Sequence, residues 1–236
     1  MRNIFAIAGR ELRAYFGSPW SYVITAVFLV IAGYGFAWNP STYMETTIRG
    51  LLGFGSFFLL ILTPALTMRL FAKELEMGTI ELLLTAPVRD IEVVLGKYLA
   101  SLGILTGMLI LTFYYPFLLF WFGEPDFGPL ASGYLGIFLL GAVFLSVGLF
   151  TSSLSSNQVV AFVLGSGILF ALWFVGQAAS FFEGATRDEI RHISFSWHFS
   201  DFCRGVIDTK AIIYYVSVVA LFLFLTLRSV EMRRWK

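Results

Sequence analysis

The longest stretches without a charged side chain constrain this sequence more than any other feature. Five blocks lack Asp, Glu, Lys and Arg altogether, at residues 14–44, 50–68, 98–123, 127–182 and 211–227. A helix needs about 20 mostly apolar residues to cross a membrane. The fourth block is too long for one such helix, and its polar run TSSLSSN at 151–157 predicts a break into two. The sequence therefore predicts six transmembrane helices, near residues 19–38, 51–68, 94–122, 132–150, 158–182 and 211–228.

The composition agrees with a chain that folds in lipid. Hydrophobic residues make up 58% of the chain and charged residues only 13%, whereas a typical soluble domain has about 25% charged residues. We therefore predict an all-α polytopic membrane protein in which residues 1–236 form a single transmembrane domain. The net charge of +1 gives no field that would attract nucleic acid, so a nucleic-acid-binding function is excluded.

The sequence offers no motif for catalysis or metal binding. The only Gly-Lys pair, Gly96-Lys97, lacks the first glycine and the Ser or Thr of an ATP-binding P-loop. His192 and His198 are six residues apart, which does not match two metal ligands on one helix. The uncharged blocks also place no carboxylate, His or Lys at membrane depth, where a transporter driven by an ion gradient needs them. We expect no catalytic, cofactor or metal site in this chain.

Lysine and arginine are unequally divided between the two ends of the predicted spans. If the N-terminus lies in the cytoplasm, 11 of the 16 fall on the cytoplasmic side and 5 fall outside, as the positive-inside rule requires. We therefore predict that both termini are cytoplasmic. The cytoplasmic set is Arg2, Arg10, Arg13, Arg69, Lys73, Arg89, Lys97, Arg228, Arg233, Arg234 and Lys236, and the outer set is Arg49, Arg187, Arg191, Arg204 and Lys210.

The first residues have the pattern of an amphipathic helix. Ile4, Ala8, Leu12 and Tyr15 recur at helical spacing among charged neighbours. This N-terminal helix either lies along the cytoplasmic interface or serves only as a charged flank that sets the topology. The pattern does not separate the two.

The densest charge cluster follows the second predicted span, at residues 69–92. Gly78 interrupts the helical pattern, Thr79 can cap a new helix, and Pro87 ends that helix. Apolar residues at 80, 83 and 84 give it one apolar face. The pattern predicts a short amphipathic helix on the cytoplasmic side, which could rest on the membrane or insert into a groove of a soluble partner.

Three segments resemble a known family of membrane proteins. The run ELEMGTIELLLTAPV at 74–88 resembles the stretch of an acidic residue, Gly-Thr, Glu-Leu-Leu and Pro that precedes the third span of ABC-2 type permeases, the membrane subunits of one class of ATP-driven transporters. The runs RELRAYFGSP at 10–19 and HFSDFCRGVID at 198–208 are similar to the subgroup of gliding-motility-associated permeases. With the six-helix layout, the resemblance covers nearly the whole chain.

The resemblance implies that a separate cytoplasmic ATPase binds ATP and Mg²⁺ and hydrolyses the ATP. In the family, the cytoplasmic helix after the second span docks into a cleft on that ATPase, so it acts as a coupling helix. Carboxylates on such a helix can pair with basic groups of the partner. The coupling positions implied for this chain are Glu74, Glu76, Gly78, Thr79, Glu81 and Pro87.

The resemblance also implies an assembly. The family works as two permeases with two ATPases, so a homodimer of this chain is the simplest arrangement, and a second, different permease is the alternative. The gliding-motility subgroup associates with a membrane-anchored protein that has a large extracytoplasmic domain, which we expect as a third partner. The expected location is the lipid bilayer of a bacterial cytoplasmic (inner) membrane.

The segment 183–210, before the last span, is predicted to form an extracytoplasmic hairpin, and the resemblance implies that it folds into short helices. Its aromatic residues are typical of a belt at the level of the lipid headgroups. Family members fold this region near the outer end of the translocation route, so the resemblance also makes it a candidate gate. The candidate gate residues are Trp197, His198, Phe199, Phe202 and Arg204.

These expectations lead to one function and two alternatives. The chain is expected to be a permease that uses the partner's ATP hydrolysis to export an amphipathic or large substrate by alternating access. The first alternative is that the helices transmit mechanical work to an extracytoplasmic partner without moving cargo, and the sequence does not separate these two. The second alternative is a scaffold or intramembrane enzyme that works without an ATPase.

Overall fold

The computed structural model describes residues 2–38, 48–79, 88–123, 125–178 and 194–234. These residues form helices and turns and contain no strand. In chain order the helices are α1 (Arg2–Phe16), α2 (Pro19–Trp38), α3 (Arg49–Thr67), α4 (Arg69–Glu76), α5 (Asp90–Thr112), α6 (Tyr114–Phe122), α7 (Phe127–Leu154), α8 (Gln158–Ala178), α9 (Phe195–Cys203) and α10 (Thr209–Arg234).

Six helical stretches within the described ranges are long and apolar enough to cross a membrane. They are Pro19–Trp38, Arg49–Glu76, Asp90–Trp121, Phe127–Leu154, Gln158–Gln177 and Thr209–Arg233, so that α3 with α4 and α5 with α6 each form one stretch. The prediction of an all-α polytopic membrane protein with six spans is confirmed. The third stretch begins at Asp90 rather than near residue 94, and it contains Lys97.

Contacts between helix ends define the two ends of the bundle. At one end of the bundle the Trp20 indole donates to the Ala65 carbonyl oxygen at 3.3 Å, and Arg233 donates to the Leu154 carbonyl oxygen at 3.0 Å. At the other end Arg49 donates to the Cys203 carbonyl oxygen at 3.3 Å. We call the first the α1 end and the second the α9 end, after the short helix that each contains.

Helix α7 is the centre of the bundle, because it packs against α3, α4, α5, α8, α9 and α10. Two of its glycines allow this close packing. A Cβ atom at Gly148 would overlap Thr67 of α3, and a Cβ atom at Gly136 would lie 2.6 Å from the Cβ atom of Phe202 in α9. The other face of the outer helices is apolar and exposed, as at Val23, Val27 and Val30 of α2, which suits contact with lipid.

Helix α1 runs beside the first half of α5 in the same direction. The Asn3 amide donates to a Glu92 carboxylate oxygen at 3.1 Å, and further along, Leu12 packs on the space left by Gly103. The predicted N-terminal amphipathic helix is present, with Ala8 and Tyr15 buried. It packs lengthwise on the bundle, whereas its position relative to the membrane interface stays a prediction.

Candidate functional site

The charged groups of the α1 end converge on one buried lysine, Lys97. Its side chain is 1% exposed, and its ammonium nitrogen donates to Glu74 Oε1 at 2.7 Å, to the Leu70 carbonyl oxygen at 2.7 Å and to Glu11 Oε1 at 3.3 Å. An ammonium group has three donors, and all three find an acceptor here. A buried charge is tolerated when it is paired and fully hydrogen-bonded, as this one is.

The partners of Lys97 come from three helices. Glu11 lies on α1, Glu74 lies on α4, and Lys97 itself lies on α5. Arg10 adds a second cation, 2.9 Å from Glu11 Oε1 and 3.9 Å from Glu74 Oε1. We call α1, α4 and the first two turns of α5 the three-helix junction. Because breaking a buried pair on one side leaves an uncompensated charge, these helices are stabilised together rather than one at a time.

Tyr15 closes the junction on the side of α3. Its hydroxyl donates to the Leu66 carbonyl oxygen at 2.8 Å. Burial raises the pKa of this phenol, Glu11 raises it further, and Arg69 partly opposes the rise. Tyr15 therefore stays neutral and remains a donor over the whole physiological pH range.

A serine of α7 fixes the beginning of α4. The Ser152 hydroxyl oxygen accepts hydrogen bonds from the backbone amides of Phe71 and Ala72, at 3.0 and 3.1 Å, and it donates to the Met68 carbonyl oxygen at 2.9 Å. The first amides of a helix have no partner within that helix, so a side chain must satisfy them when they are buried. This contact anchors α4 to the central helix where the chain leaves α3.

The end of α4 is an exposed turn. The Met77 amide donates back to the Lys73 carbonyl oxygen, and Gly78 follows in the left-handed region with φ of 69°. The Thr79 hydroxyl donates to the Glu74 carbonyl oxygen at 3.4 Å, so it contacts the preceding helix. The predicted coupling helix at 80–87, with Glu81 and Pro87, lies outside the described residues.

The two described carboxylates of the coupling set face different surroundings. Glu74 is directed into the three-helix junction, and its side chain is only 19% exposed. Glu76 is exposed, and its carboxylate accepts a hydrogen bond from the Gln158 amide of α8 at 3.0 Å. Of these two, Glu76 is the one that a partner protein can reach.

The candidate gate residues lie on α9 and just after it. His198, Phe199 and Phe202 are buried, whereas Trp197 and Arg204 are exposed. The Ser132 hydroxyl of α7 donates to the Phe202 carbonyl oxygen at 2.7 Å, which holds α9 on the central helix. Within this single chain, the three buried side chains contribute to packing, and the other two reach the surface.

Sequence reasoning did not single out Lys97, Glu11 or Ser152. For Lys97 and Glu11, the sequence did contain a signal. Glu11 lies three residues after Ala8 and four before Tyr15, which places it on the apolar face of α1. Lys97 is a lone charge between apolar residues, and such a residue is rarely buried unless it is paired. Ser152 had no signal, because its role depends on α3 and α4 meeting α7.

The described residues contain no group of three or more His, Cys, Asp and Glu side chains that could hold a metal ion. The arrangement at the α1 end is a set of ion pairs and hydrogen bonds that joins helices, and it contains no arrangement of nucleophile and base. Such a set of contacts can transmit a displacement of one helix to the other helices that it joins.

Comparison with known proteins identifies the family. The family model described as ABC-2 family transporter protein matches residues 5–219, which is most of the chain. No curated protein matches the chain significantly. The family implies a cytoplasmic ABC ATPase as partner, and the narrower resemblance to gliding-motility-associated permeases stays a prediction. The chain therefore belongs to the ABC-2 transporter family, and it is a multi-pass membrane permease subunit of an ABC transporter.

Proposed function

We propose that this permease exports an amphipathic or large substrate, and that ATP hydrolysis by a separate ABC ATPase drives the export through the three-helix junction. In this proposal the α1 end faces the cytoplasm of a bacterial cell and lies at its inner membrane. The distribution of charge supports this orientation. Among described side chains, Arg10, Arg13, Arg69, Lys73, Arg89, Lys97, Arg228 and Arg233 lie at the α1 end, against Arg49, Arg204 and Lys210 at the α9 end.

The observation that carries the proposal is the Lys97 network next to the exposed turn at 77–79. The turn leads directly into the predicted coupling helix, and α4 precedes it. Because α4 is tied to α1 and α5 through Lys97 and to α7 through Ser152, a push on the coupling helix reaches α1 and two further spans, α5 and α7, at once. Gly78, with its positive φ, is the point at which the coupling helix can change direction without bending α4.

The carboxylates of Glu74 and Glu76 have different roles in this proposal. Glu74 holds the junction together through Lys97, and Glu76, with the predicted Glu81, offers negative charge to basic groups of the ATPase. Thr79 and Pro87 set the ends of the coupling helix. At the α9 end, Trp197 and Arg204 are the candidate gate residues that cargo or an auxiliary protein could touch, and the buried His198, Phe199 and Phe202 hold α9 in place.

The proposed assembly contains two copies of this chain and two ATPases, which hold ATP and Mg²⁺. A membrane-anchored protein with a large extracytoplasmic domain is the proposed third component. The two permeases and two ATPases follow from the resemblance to ABC-2 type permeases, and the third component follows from the resemblance to the gliding-motility subgroup. Each can be counted by mass spectrometry of the intact complex.

The test is purification of the tagged chain from its native membranes in mild detergent, with identification of what accompanies it. We expect an ABC ATPase with the wild-type chain and much less of it with Glu76→Lys. The matched control is Glu231→Lys, which reverses a carboxylate at the same end but on α10. Absence of an ATPase from the wild-type preparation would contradict the proposal, and equal recovery with Glu76→Lys would remove Glu76 from the contact.

The same complex distinguishes export from force transmission. In lipid nanodiscs, an ATPase rate that rises with an added amphipathic compound supports export. A rate that responds only to the extracytoplasmic protein contradicts export and supports mechanical transmission.

A further inference from the structure

We propose that a cavity at the α1 end binds the headgroup of a membrane phospholipid that carries a hydrogen-bond donor beyond its phosphate, such as phosphatidylethanolamine. The cavity has a volume of about 250 Å³ and lies between α1, the first turn of α2, α4 and Lys97 of α5. Pockets for drug-sized molecules are larger, about 300–1,000 Å³. The volume suits one headgroup rather than a whole cargo molecule. We call it the headgroup cavity.

The charge balance of the headgroup cavity favours an anion. Its walls contain the acids Glu11 and Glu74 and the cations Lys97, Arg69 and Lys73. Lys97, together with Arg10 from outside the cavity, pairs with both acids, so these four charges balance. Arg69 and Lys73 make no ion pair with any residue that the structure describes, so two positive charges remain for a ligand.

The guanidinium of Arg69 is already oriented by its neighbours and can bind a phosphate. Its Nη1 donates to the Ser18 hydroxyl oxygen at 3.3 Å, and its guanidinium lies 5.2 Å from the centre of the Trp20 ring. A guanidinium has five N–H donors in a fixed plane, and one bond to Ser18 leaves others free for phosphate oxygens. A side chain that is already oriented loses less conformational entropy on binding.

Two residues that line the cavity each have a buried polar atom without a hydrogen-bond partner among the described residues. One is the hydroxyl oxygen of Ser21, whose residue is 7% exposed, and the other is Glu74 Oε2. A buried polar atom without a partner costs free energy, so a side-chain rotation that brings it to a ligand group in the cavity is favourable. The Ser21 hydroxyl can donate to a phosphate. Glu74 Oε2 can only accept, so the ligand must also bring a donor, such as the ammonium of ethanolamine or the hydroxyls of glycerol.

The surroundings of the cavity point to a lipid as the source of that headgroup. Trp20 lies in the first turn of α2 and is 38% exposed, and tryptophan is enriched where a span meets the headgroups. Val23, Val27 and Val30 continue from Trp20 along the same exposed face of α2. A lipid with its headgroup in the cavity would lay its acyl chains along this face.

This inference does not depend on the ATPase or on which side of the membrane holds the α1 end, so it can fail while the proposed function stands. The test uses the full chain in detergent and measures bound lipid by native mass spectrometry during titration. The probes are phosphatidylethanolamine, phosphatidylglycerol and phosphatidylcholine with identical acyl chains. We expect the first two to bind at least about tenfold more tightly than phosphatidylcholine, whose headgroup has no donor.

Variants locate the binding. Arg69→Gln and Lys73→Gln should each weaken phosphatidylethanolamine binding by about tenfold, the typical effect of one charge-assisted hydrogen bond. Because Lys73 is exposed, its substitution leaves the fold intact even if Arg69→Gln does not. Arg13→Gln is the control, because Arg13 is an exposed arginine of α1 that does not line the headgroup cavity.

Three results would overturn the proposal. They are equal binding of phosphatidylcholine, unchanged binding in both cavity variants, and loss of binding in the Arg13→Gln control to the same degree. A further arm adds water-soluble glycerophosphoethanolamine as a competitor. Competition at the affinity of the lipid itself would assign the cavity to a soluble phosphate ester and contradict the lipid assignment.

Discussion

The two ends of the bundle are stabilised by different kinds of interaction. At the α1 end the buried contacts are charged, with Lys97 between Glu11 and Glu74. At the α9 end the buried contacts given by the described residues are neutral: the Tyr215 hydroxyl donates to the Phe195 carbonyl oxygen at 3.1 Å, and aromatic rings fill the space between α9 and α10.

This difference has a mechanical consequence. Aromatic and aliphatic packing weakens in proportion to the volume that is removed, so it tolerates small adjustments. A buried charge network fails when one member leaves, because the remaining charges lose their partners in a medium of low dielectric. The α1 end should therefore move as one piece, as a coupling end must, whereas the α9 end can adjust locally.

The largest expected effect is the loss of Lys97. Lys97→Met keeps a similar side-chain length but leaves the partly buried carboxylates of Glu11 and Glu74 with only the exposed Arg10 as a shared cation. We expect a loss of about 3–5 kcal/mol in the free energy of unfolding. It would be measured as a fall in thermal stability and in the monodisperse fraction by size-exclusion chromatography in detergent.

The control for this variant removes the charges together. Adding Glu11→Gln and Glu74→Gln to Lys97→Met should recover most of the lost stability, because replacing a whole buried network is often close to neutral. A triple variant as unstable as Lys97→Met alone would mean that the network is not what stabilises the α1 end.

A smaller effect is expected from overpacking the α9 end. In Gly136→Ala the new methyl group would meet the Cβ and Cγ atoms of Phe202 at 2.6 and 2.8 Å, so α9 must move away from α7. We expect a loss of about 1–3 kcal/mol, measured by the same thermal assay. Gly167→Ala is the matched control, since nothing lies within 4 Å of its added Cβ atom. Equal stability of the two variants would contradict the close α7–α9 packing.

The sequence predicted the six-span layout, because spans depend on long local runs of apolar residues. The packing of α1 on α5 was harder to predict from the sequence, since it depends on which face of α1 meets Gly96 and Gly103. The docking of α9 joins residues that are 70 positions apart, Ser132 and Phe202, and no local pattern carries that information. Glu74 illustrates the same limit: its type fits a partner-facing carboxylate, but its burial depends on Lys97.

A still smaller change is expected at the turn after α4. Gly78→Ala places a side chain at φ of 69°, where L-residues are disfavoured, at a cost of about 1 kcal/mol, although no atom lies within 4 Å of the added Cβ. We expect a small fall in thermal stability and a lower ATPase rate of the assembled complex, because the coupling helix leaves α4 at a different angle. Gly9→Ala, on α1, is the control with open space and an ordinary φ. An unchanged ATPase rate in Gly78→Ala would contradict the hinge.

The smallest expected effect is on the rate at which the Cys203 thiol, at the α9 end, is alkylated. Burial raises the pKa of the Cys203 thiol to about 11, and Arg49 partly opposes the rise. The reactive thiolate is therefore scarce at neutral pH, and alkylation by iodoacetamide should accelerate about tenfold per pH unit from pH 7 to 9. Mass spectrometry follows the reaction, and Arg49→Gln should slow it further. An exposed cysteine from Thr79→Cys in a Cys203→Ser background should react faster at every pH, and equal rates at pH 7 would contradict the partial burial of Cys203.

The most direct test of the account asks which end of the permease contacts the ATPase. In a Cys203→Ser background, Thr79→Cys at the α1 end and Val206→Cys at the α9 end each place one exposed cysteine for a thiol-linked photo-crosslinker. The complex is irradiated in native membranes, and the crosslinked partner is identified by mass spectrometry. The account predicts an ABC ATPase crosslinked to residue 79 and none crosslinked to residue 206. An ATPase captured from residue 206, or none from residue 79 in a complex that contains one, would contradict it.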